Sequence, residues 1–235
     1  MILGAIPGAT PDKWAARWRQ RFPQHALDIQ YYDAAGQLER ICAGIVDIGY
    51  VRWTETPEEF DPGTFHRVLL YREDPVVCAA AEHWIAAAED SVDVAELSEE
   101  TFWEPAQLLP DAAEPGAGER MALEVAASGA GLVVLPQSVA RMLSRKDVVV
   151  RPLTGADQYE TSLAWLRERD SEVIQEFIGI ARGRKAESAR SSLGSPSSRS
   201  ARSPSVSKKA PARPRTSGRV NRTTKPGRAR KHRRR

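Results

Sequence analysis

Apolar positions along the first 180 residues fall into short runs that alternate with amphipathic stretches, and this alternation predicts most of the elements. Residues 2–6 form an apolar run read as a buried strand, which leads straight into Pro7-Gly8-Ala9-Thr10-Pro11-Asp12. There Thr10 suits a helix N-cap, Pro11 the first helical position and Asp12 the positive end of the helix dipole. The helix expected from this point to about Phe22 sets Trp14, Trp18 and Phe22 four residues apart on one side, a spacing that marks core or a subunit interface. Pro23 ends it. Residues 27–32 read as a second strand, 37–43 as a second helix and 46–51 (VDIGYV) as a third strand. Strand, helix, strand, helix, strand with short links means parallel pairing and right-handed crossovers, hence an α/β fold.

Farther along, residues 68–71 and 76–80 are apolar enough to extend that sheet or to leave it. An Ala-rich helix follows from about residue 82, and Asp93 and Glu96 stand at capping-box spacing ahead of a second short helix reaching residue 97. Residues 101–118 contain Pro105, Pro110, Pro115, Gly116 and Gly118, and the pattern assigns them no regular element. Then come a helix over 119–128, a strand over 131–135, a helix over 136–143 that opens on proline, and strands over 148–150 and 162–166. A last helix, capped by Ser171, carries Val173, Ile174, Phe177, Ile178 and Ala181 on one face.

Charge divides the chain near Ala181. Residues 1–181 hold 15 Lys/Arg against 30 Asp/Glu, a formal charge of −15, while residues 182–235 hold 19 against Glu187 alone, or +18. The net +3 therefore conceals an acidic body and a polycationic tail. After Arg184 the apolar content is Leu193, Val206, Val220 and alanines, which bury too little surface to offset chain entropy, so residues 183–235 are expected to be disordered. Cys42 and Cys78 lie in apolar sequence without CxxC spacing and read as reduced thiols of a cytosolic protein. The apolar N-terminus meets Pro7-Gly8 before a signal-peptide core could form, and no run approaches about 18 apolar residues, so no membrane segment is expected.

Candidate chemistry is sparse. His25, His66, His83 and His232 have neither zinc nor nucleophile-base spacing, and the adjacent acids Glu58-Glu59 and Glu99-Glu100 point apart. Nucleotide and nucleophile motifs are missing, since Gly129-Ala130-Gly131 precedes a strand instead of opening a helix. No enzyme activity, metal or cofactor is expected. Two ligand sites suggest themselves. The Gly8-Ala9-Thr10 turn offers free backbone N–H groups and a helix dipole to an anion, a plain capped helix being the alternative. Arg52 and Trp53, at the end of the third strand, could pair with and stack on a carboxylate; an Arg52 bonded to the acidic loop over residues 55–61 is the alternative. Asp33 reads as the cap of the second helix, and its charge would disfavour an anion beside it.

The segments GAIPGATPDKWAARWRQRFPQ, QLERICAGIVDIGYVR, REDPVVCAAAEHWIAA, EVAASGAGLVVLPQSVARML and VVVRPL, in this order, resemble the effector-binding domain of LysR-type transcriptional regulators. The run from Ala126 through Gly129-Ala130-Gly131 to Leu135-Pro136 is similar to that family's Gly-Leu-Gly…Leu-Pro signature. The resemblance implies a two-lobed periplasmic-binding-protein-like (type II) fold, with lobe one at residues 1–74 and 152–182 and lobe two at 75–151. It further implies a small-molecule effector, commonly an organic anion such as a carboxylate, in the cleft between them, and a homodimer. The family's N-terminal winged helix-turn-helix is not expected, because Met1 opens on the first strand. Residues 101–118 look short and Pro/Gly-rich against the family, so one cleft wall is expected to be reduced.

The tail would then carry the contact with DNA. Lys208, Lys209, Arg213, Arg215, Arg219, Arg222, Lys225, Arg228, Arg230, Lys231, Arg233, Arg234 and Arg235 are interleaved with Pro and Gly and with no aromatic residue, which suits duplex phosphates better than stacked single strands. Residues 225–231 are similar to an AT-hook that lacks its Gly-Arg-Pro core, so association is expected to be largely nonspecific. The chain is accordingly expected to be cytoplasmic or nucleoid-associated, acting in transcription-related regulation. The alternative is a small-molecule-binding or protein-docking module whose tail meets RNA or its own acidic body.

Overall fold

A computed structural model of the chain describes residues 1–109 and 114–184. Apart from Gly183 and Arg184, the tail expected to be disordered lies outside the described residues, as does every lysine and arginine assigned to DNA. The first strand, β1 (Ile2–Ala5), is followed by α1 (Asp12–Arg21), β2 (Asp28–Tyr31), α2 (Gln37–Cys42) and β3 (Ile48–Trp53). β1 pairs parallel with both β2 and β3, as the alternation predicts. The helix N-cap is Pro11, already in the helical region, and no side chain caps the helix. Thr10 is therefore not the cap: the Pro11 carbonyl accepts from the amides of Trp14 and Ala15, so the first turn starts one residue later than expected.

The third strand begins two residues past the expected one. Asp47 is held instead by β1, its amide donating to the Ile2 carbonyl and its carboxylate accepting from the Ile2 amide at 2.7 Å. Arg52 and Trp53 consequently lie within the strand and not beyond it. β4 (Phe65–Glu73) and β5 (Pro75–Ala80) are separated by Asp74 alone, and there the chain leaves the first sheet for a second. The two short helices expected next are 3-10 turns, Trp84–Ala87 and Val94–Leu97, with β6 (Val92–Asp93) between them. The capping box of Asp93 and Glu96 forms. α3 (Pro105–Leu108), α4 (Ala117–Ala127), β7 (Val133–Pro136) and α5 (Gln137–Met142) follow. β8 (Val148–Thr154) runs four residues beyond its expected end, and the chain returns to the first sheet as β9 (Tyr159–Leu166) before α6 (Glu172–Ala181). The second crossing thus falls at residues 155–158, past the expected boundary at 151/152.

The first sheet has the order β2-β1-β3-β9-β4, with β9 antiparallel to both neighbours, and the second the order β6-β8-β5-β7. α1, α2 and α6 cover the first sheet through Trp18, Phe22, Ile41, Ile174 and Phe177, all buried in one core. The aromatic row of α1 belongs to that core: Trp18 is fully buried and Trp14 stacks on Tyr50 at 5.9 Å. In the second sheet β5 is buried on both faces. Val76 and Cys78 pack with Ala122, Leu123 and Ala126 of α4 and Val139 of α5. Val77 and Ala79 pack with Ile85 and Leu97 of the 3-10 turns. Burial pushes the Cys78 thiol up to about 12, so it is an inert core group. Among the described residues no helix is long and apolar enough to cross a membrane.

Candidate functional site

A cavity of about 250 Å³ opens between the two sheets. The first sheet contributes Asp33, Ala34 and Ala35 from the β2–α2 loop, Arg52 from β3 and Tyr159 from β9. The opposite side contributes Glu104, Pro105, Ala106 and Leu109 around α3, Gly118 and Glu119 in the first turn of α4, and Val134, Leu135 and Pro136 of β7. From the segment expected to be reduced, Glu104, Pro105, Ala106, Leu109 and Gly118 line the cavity, supplied by a four-residue helix opening on Pro105 and by the start of α4.

Arg52 is placed by backbone geometry. β1 pairs with β3 only as far as Gly49, so beyond it that edge of β3 needs other partners. Gln37, the first residue of α2, provides them: its side chain accepts from the Arg52 amide at 2.8 Å and donates to the Arg52 carbonyl at 2.9 Å. The guanidinium, buried with the rest of the residue, donates to the Pro7 carbonyl at 2.9 Å and the Ser138 hydroxyl at 3.2 Å. Its Nε pairs with Glu73 Oε1 at 3.0 Å and lies 3.3 Å from Thr161 Oγ1. The second oxygen of Glu73 accepts from the Ser138 amide at 3.0 Å. One network thus runs from β3, β4 and β9 of the first sheet to the start of α5. The charge partner is Glu73, and not the loop over residues 55–61.

A second link crosses the cleft at Asp33, whose carboxylate accepts from the Gly116 amide at 2.5 Å. Gly116 is the N-cap of α4 and sits at φ +78°, a conformation open to glycine. Asp33 therefore does not cap α2, whose N-cap is Gly36. It supplies negative charge to the N-terminus of α4 instead.

Residues 5–107 match the LysR substrate binding domain. Over these residues the chain is similar to LysR substrate-binding domains. Its fold is similar to that of full-length BenM, at 19% identity and a TM-score of 0.59 over 77% of this chain and 66% of that one. The BenM effector binding domain with its effector benzoate aligns at 19% identity and a TM-score of 0.57 over 79% of this chain and 94% of that one. The effector binding domain of QuiR in complex with shikimate aligns at 14% identity and a TM-score of 0.58, over 77% and 94%. This chain spans 66% of the length of full-length BenM. No curated protein matches it. At these identities the likeness is one of fold, the two-lobed periplasmic-binding-protein-like (type II) arrangement of LysR effector domains.

Of the five ligand residues expected from the sequence, Arg52 alone lines this cavity. Trp53 points to the other face of β3, packed on Phe60 at 5.4 Å with the Arg67 guanidinium 5.4 Å from its ring. Neighbouring residues on a strand face opposite ways, so Arg52 and Trp53 cannot both reach one ligand. Gly8, Ala9 and Thr10 do not line the cavity either. Gly8, at φ +79°, packs so closely on α5 that a Cβ there would stand 2.5 Å from Ser138 Oγ and 2.9 Å from the Val139 nitrogen.

Four residues that matter here escape the sequence reading: Glu73, Glu104, Glu119 and Tyr159. Burial holds the Glu119 carboxyl above the usual carboxylate range, with Asp33 adding to the shift and Arg52 and Arg120 opposing it. Burial also pushes the Tyr159 phenol up to about 12, with Glu104 acting in the same sense and Arg52 against it. The cavity can therefore offer carboxylates, a phenol O–H and an apolar wall to a small molecule. Its guanidinium is already engaged.

Proposed function

We propose that this chain is a ligand-responsive, transcription-related regulator and not an enzyme, with a small-molecule effector held between its lobes and DNA held by its basic tail. The lobes follow the two sheets, residues 1–74 with 159–184 forming one and 75–154 the other. The observation that carries this reading is a cavity walled from both sheets in a fold whose relatives include a domain with its effector benzoate and another in complex with shikimate. A molecule touching both walls biases how the lobes stand to each other, which is the differential contact a switch requires. A carboxylate effector would have to displace Glu73 from Arg52 or Asp33 from the Gly116 amide. The tail, at +18 over residues 182–235, supplies a sequence-independent phosphate interaction driven by counterion release. The protein acts in the cytoplasm or on the nucleoid, as a homodimer like others of its family.

Duplex-DNA binding by the full chain and by a chain ending at Arg182, each at low and at physiological salt, tests the arm. The expected result is binding by the full chain alone, falling steeply as salt rises. Equal binding by both chains moves the contact to the body, and no binding by either removes DNA from the reading. Sedimentation of the full chain tests the dimer.

A further inference from the structure

The geometry points to a small organic cation, an ammonium on a mostly apolar body, as the kind of molecule this cavity selects. The inference rests on reading the cavity as a ligand site and concerns what that site takes. Each group that would attract an anion is already satisfied from within the protein. Arg52 is paired to Glu73 at 3.0 Å, with only 4% and 9% of the two side chains exposed, and the N-terminus of α4 is met by Asp33 at 2.5 Å. An entering carboxylate would have to break a buried pair and leave Glu73 or Asp33 without its partner, the costly direction for a desolvated charge.

The charges left on the cavity wall are negative. Asp33, Glu104 and Glu119 all line it, and among the described residues none of the three takes part in an ion pair. The cavity is not a purely acidic surface: Pro105, Val134 and Leu135 also line it, and Tyr159 adds a phenol. Of the three carboxylates, Glu104 is exposed, Asp33 is half-buried against the Gly116 amide, and Glu119 is half-buried without a counter-ion, a state held at a cost. A bound ammonium would supply that counter-charge while its apolar body covers the aliphatic wall. Glu119 registers the same tension, its carboxyl being raised by burial first and by Asp33 second.

A matched set of ligands decides the question. Benzylammonium, benzoate and benzyl alcohol share one apolar body and differ in charge, and each is titrated calorimetrically into the full chain at neutral pH. Benzylammonium is expected to bind most tightly. Its affinity is expected to fall about tenfold in Glu119→Gln and by more in Glu104→Gln/Glu119→Gln, the scale of a lost charge-assisted hydrogen bond. Benzyl alcohol should be unaffected by either change. Tighter binding of benzoate overturns the cation and keeps the cavity as a ligand site. Equal affinity of benzylammonium for parent and variants also overturns it, by showing attraction to the acidic body at large. Failure of all three to bind overturns the cavity reading itself. Cooperative thermal unfolding of each variant establishes that it is folded, and the single substitution stands if the double one is not.

Discussion

Around the five-stranded sheet, Trp18, Tyr50, Phe65, Trp165 and Phe177 meet in one continuous core, whereas the four-stranded sheet is packed by Val, Ala, Leu, Ile and Cys in two separate clusters, one on each face. Aromatic side chains bury about 150–250 Å² each, so the first region fixes its helices with few residues. The second spreads smaller contributions over shorter elements, among them α3, a single turn with no buried residue. Most of the cavity wall comes from this second region. A ligand in the proposed site would therefore lie between a firm platform and a lightly anchored cover, an arrangement in which binding energy can shift the cover more readily than the platform.

The largest test of that contrast is in the platform. Trp18→Ala removes a fully buried indole and its 2.8 Å bond to the His25 carbonyl, and is expected to cost about 3–5 kcal/mol in urea unfolding, enough to expose both sheets together. A loss confined to amides of the first sheet in hydrogen exchange would mean that the two regions unfold independently. Next comes the crossing between them. Arg52→Met leaves the Glu73 carboxylate buried with only the Ser138 amide and Thr161 hydroxyl, at an expected cost of about 3 kcal/mol. Adding Glu73→Gln should restore much of it. If the double variant is as unstable as the single one, the network stabilises through its geometry and not through charge pairing.

How much of this contrast the chain announces depends on the range of the interaction. The alternation over residues 2–53 is local, and the parallel β1, β2 and β3 follow from it; the Trp14, Trp18 and Phe22 row declares its buried side by helical spacing alone. Ser171 and the Asp93–Glu96 box act within one turn and form as expected. The cavity is different. Arg52 with Glu73 and Asp33 with Gly116 join residues 21 and 83 positions apart, and neither pairing leaves a periodic trace. Trp53 misleads because the strand starts two residues late and turns its neighbour's face away. α3 is invisible to periodicity, since one turn around Pro105 buries nothing.

A smaller effect is expected where the platform touches the cover directly. Gly8→Ala puts a methyl 2.5 Å from Ser138 Oγ and 2.9 Å from the Val139 backbone at a φ of +79° that alanine adopts only under strain. The cost should be about 2 kcal/mol, and because backbone stands in the way, α5 and not Ser138 alone has to yield. Faster hydrogen exchange across α5 with β1 unchanged would show that the cover moves. Equal effects on both sides would show that the two regions are one mechanical unit.

The smallest effect reads the cavity's charge. With its carboxyl held above the usual range, folded Glu119 binds its proton more tightly than the unfolded chain does. Its favourable contribution is therefore present below the unfolded carboxylate pKa of about 4.3 and is lost as pH rises through the folded value, leaving a cost at neutral pH. Glu119→Gln removes that cost, so the variant should be more stable than the parent at pH 7, by on the order of half a kcal/mol. The advantage should vanish near pH 4, where the parent is protonated too. Urea midpoints of the two proteins at both values measure it. An advantage that persists unchanged at pH 4 would trace to packing or helix propensity in the first turn of α4, and the carboxylates lining the cavity would then be adequately solvated without a ligand.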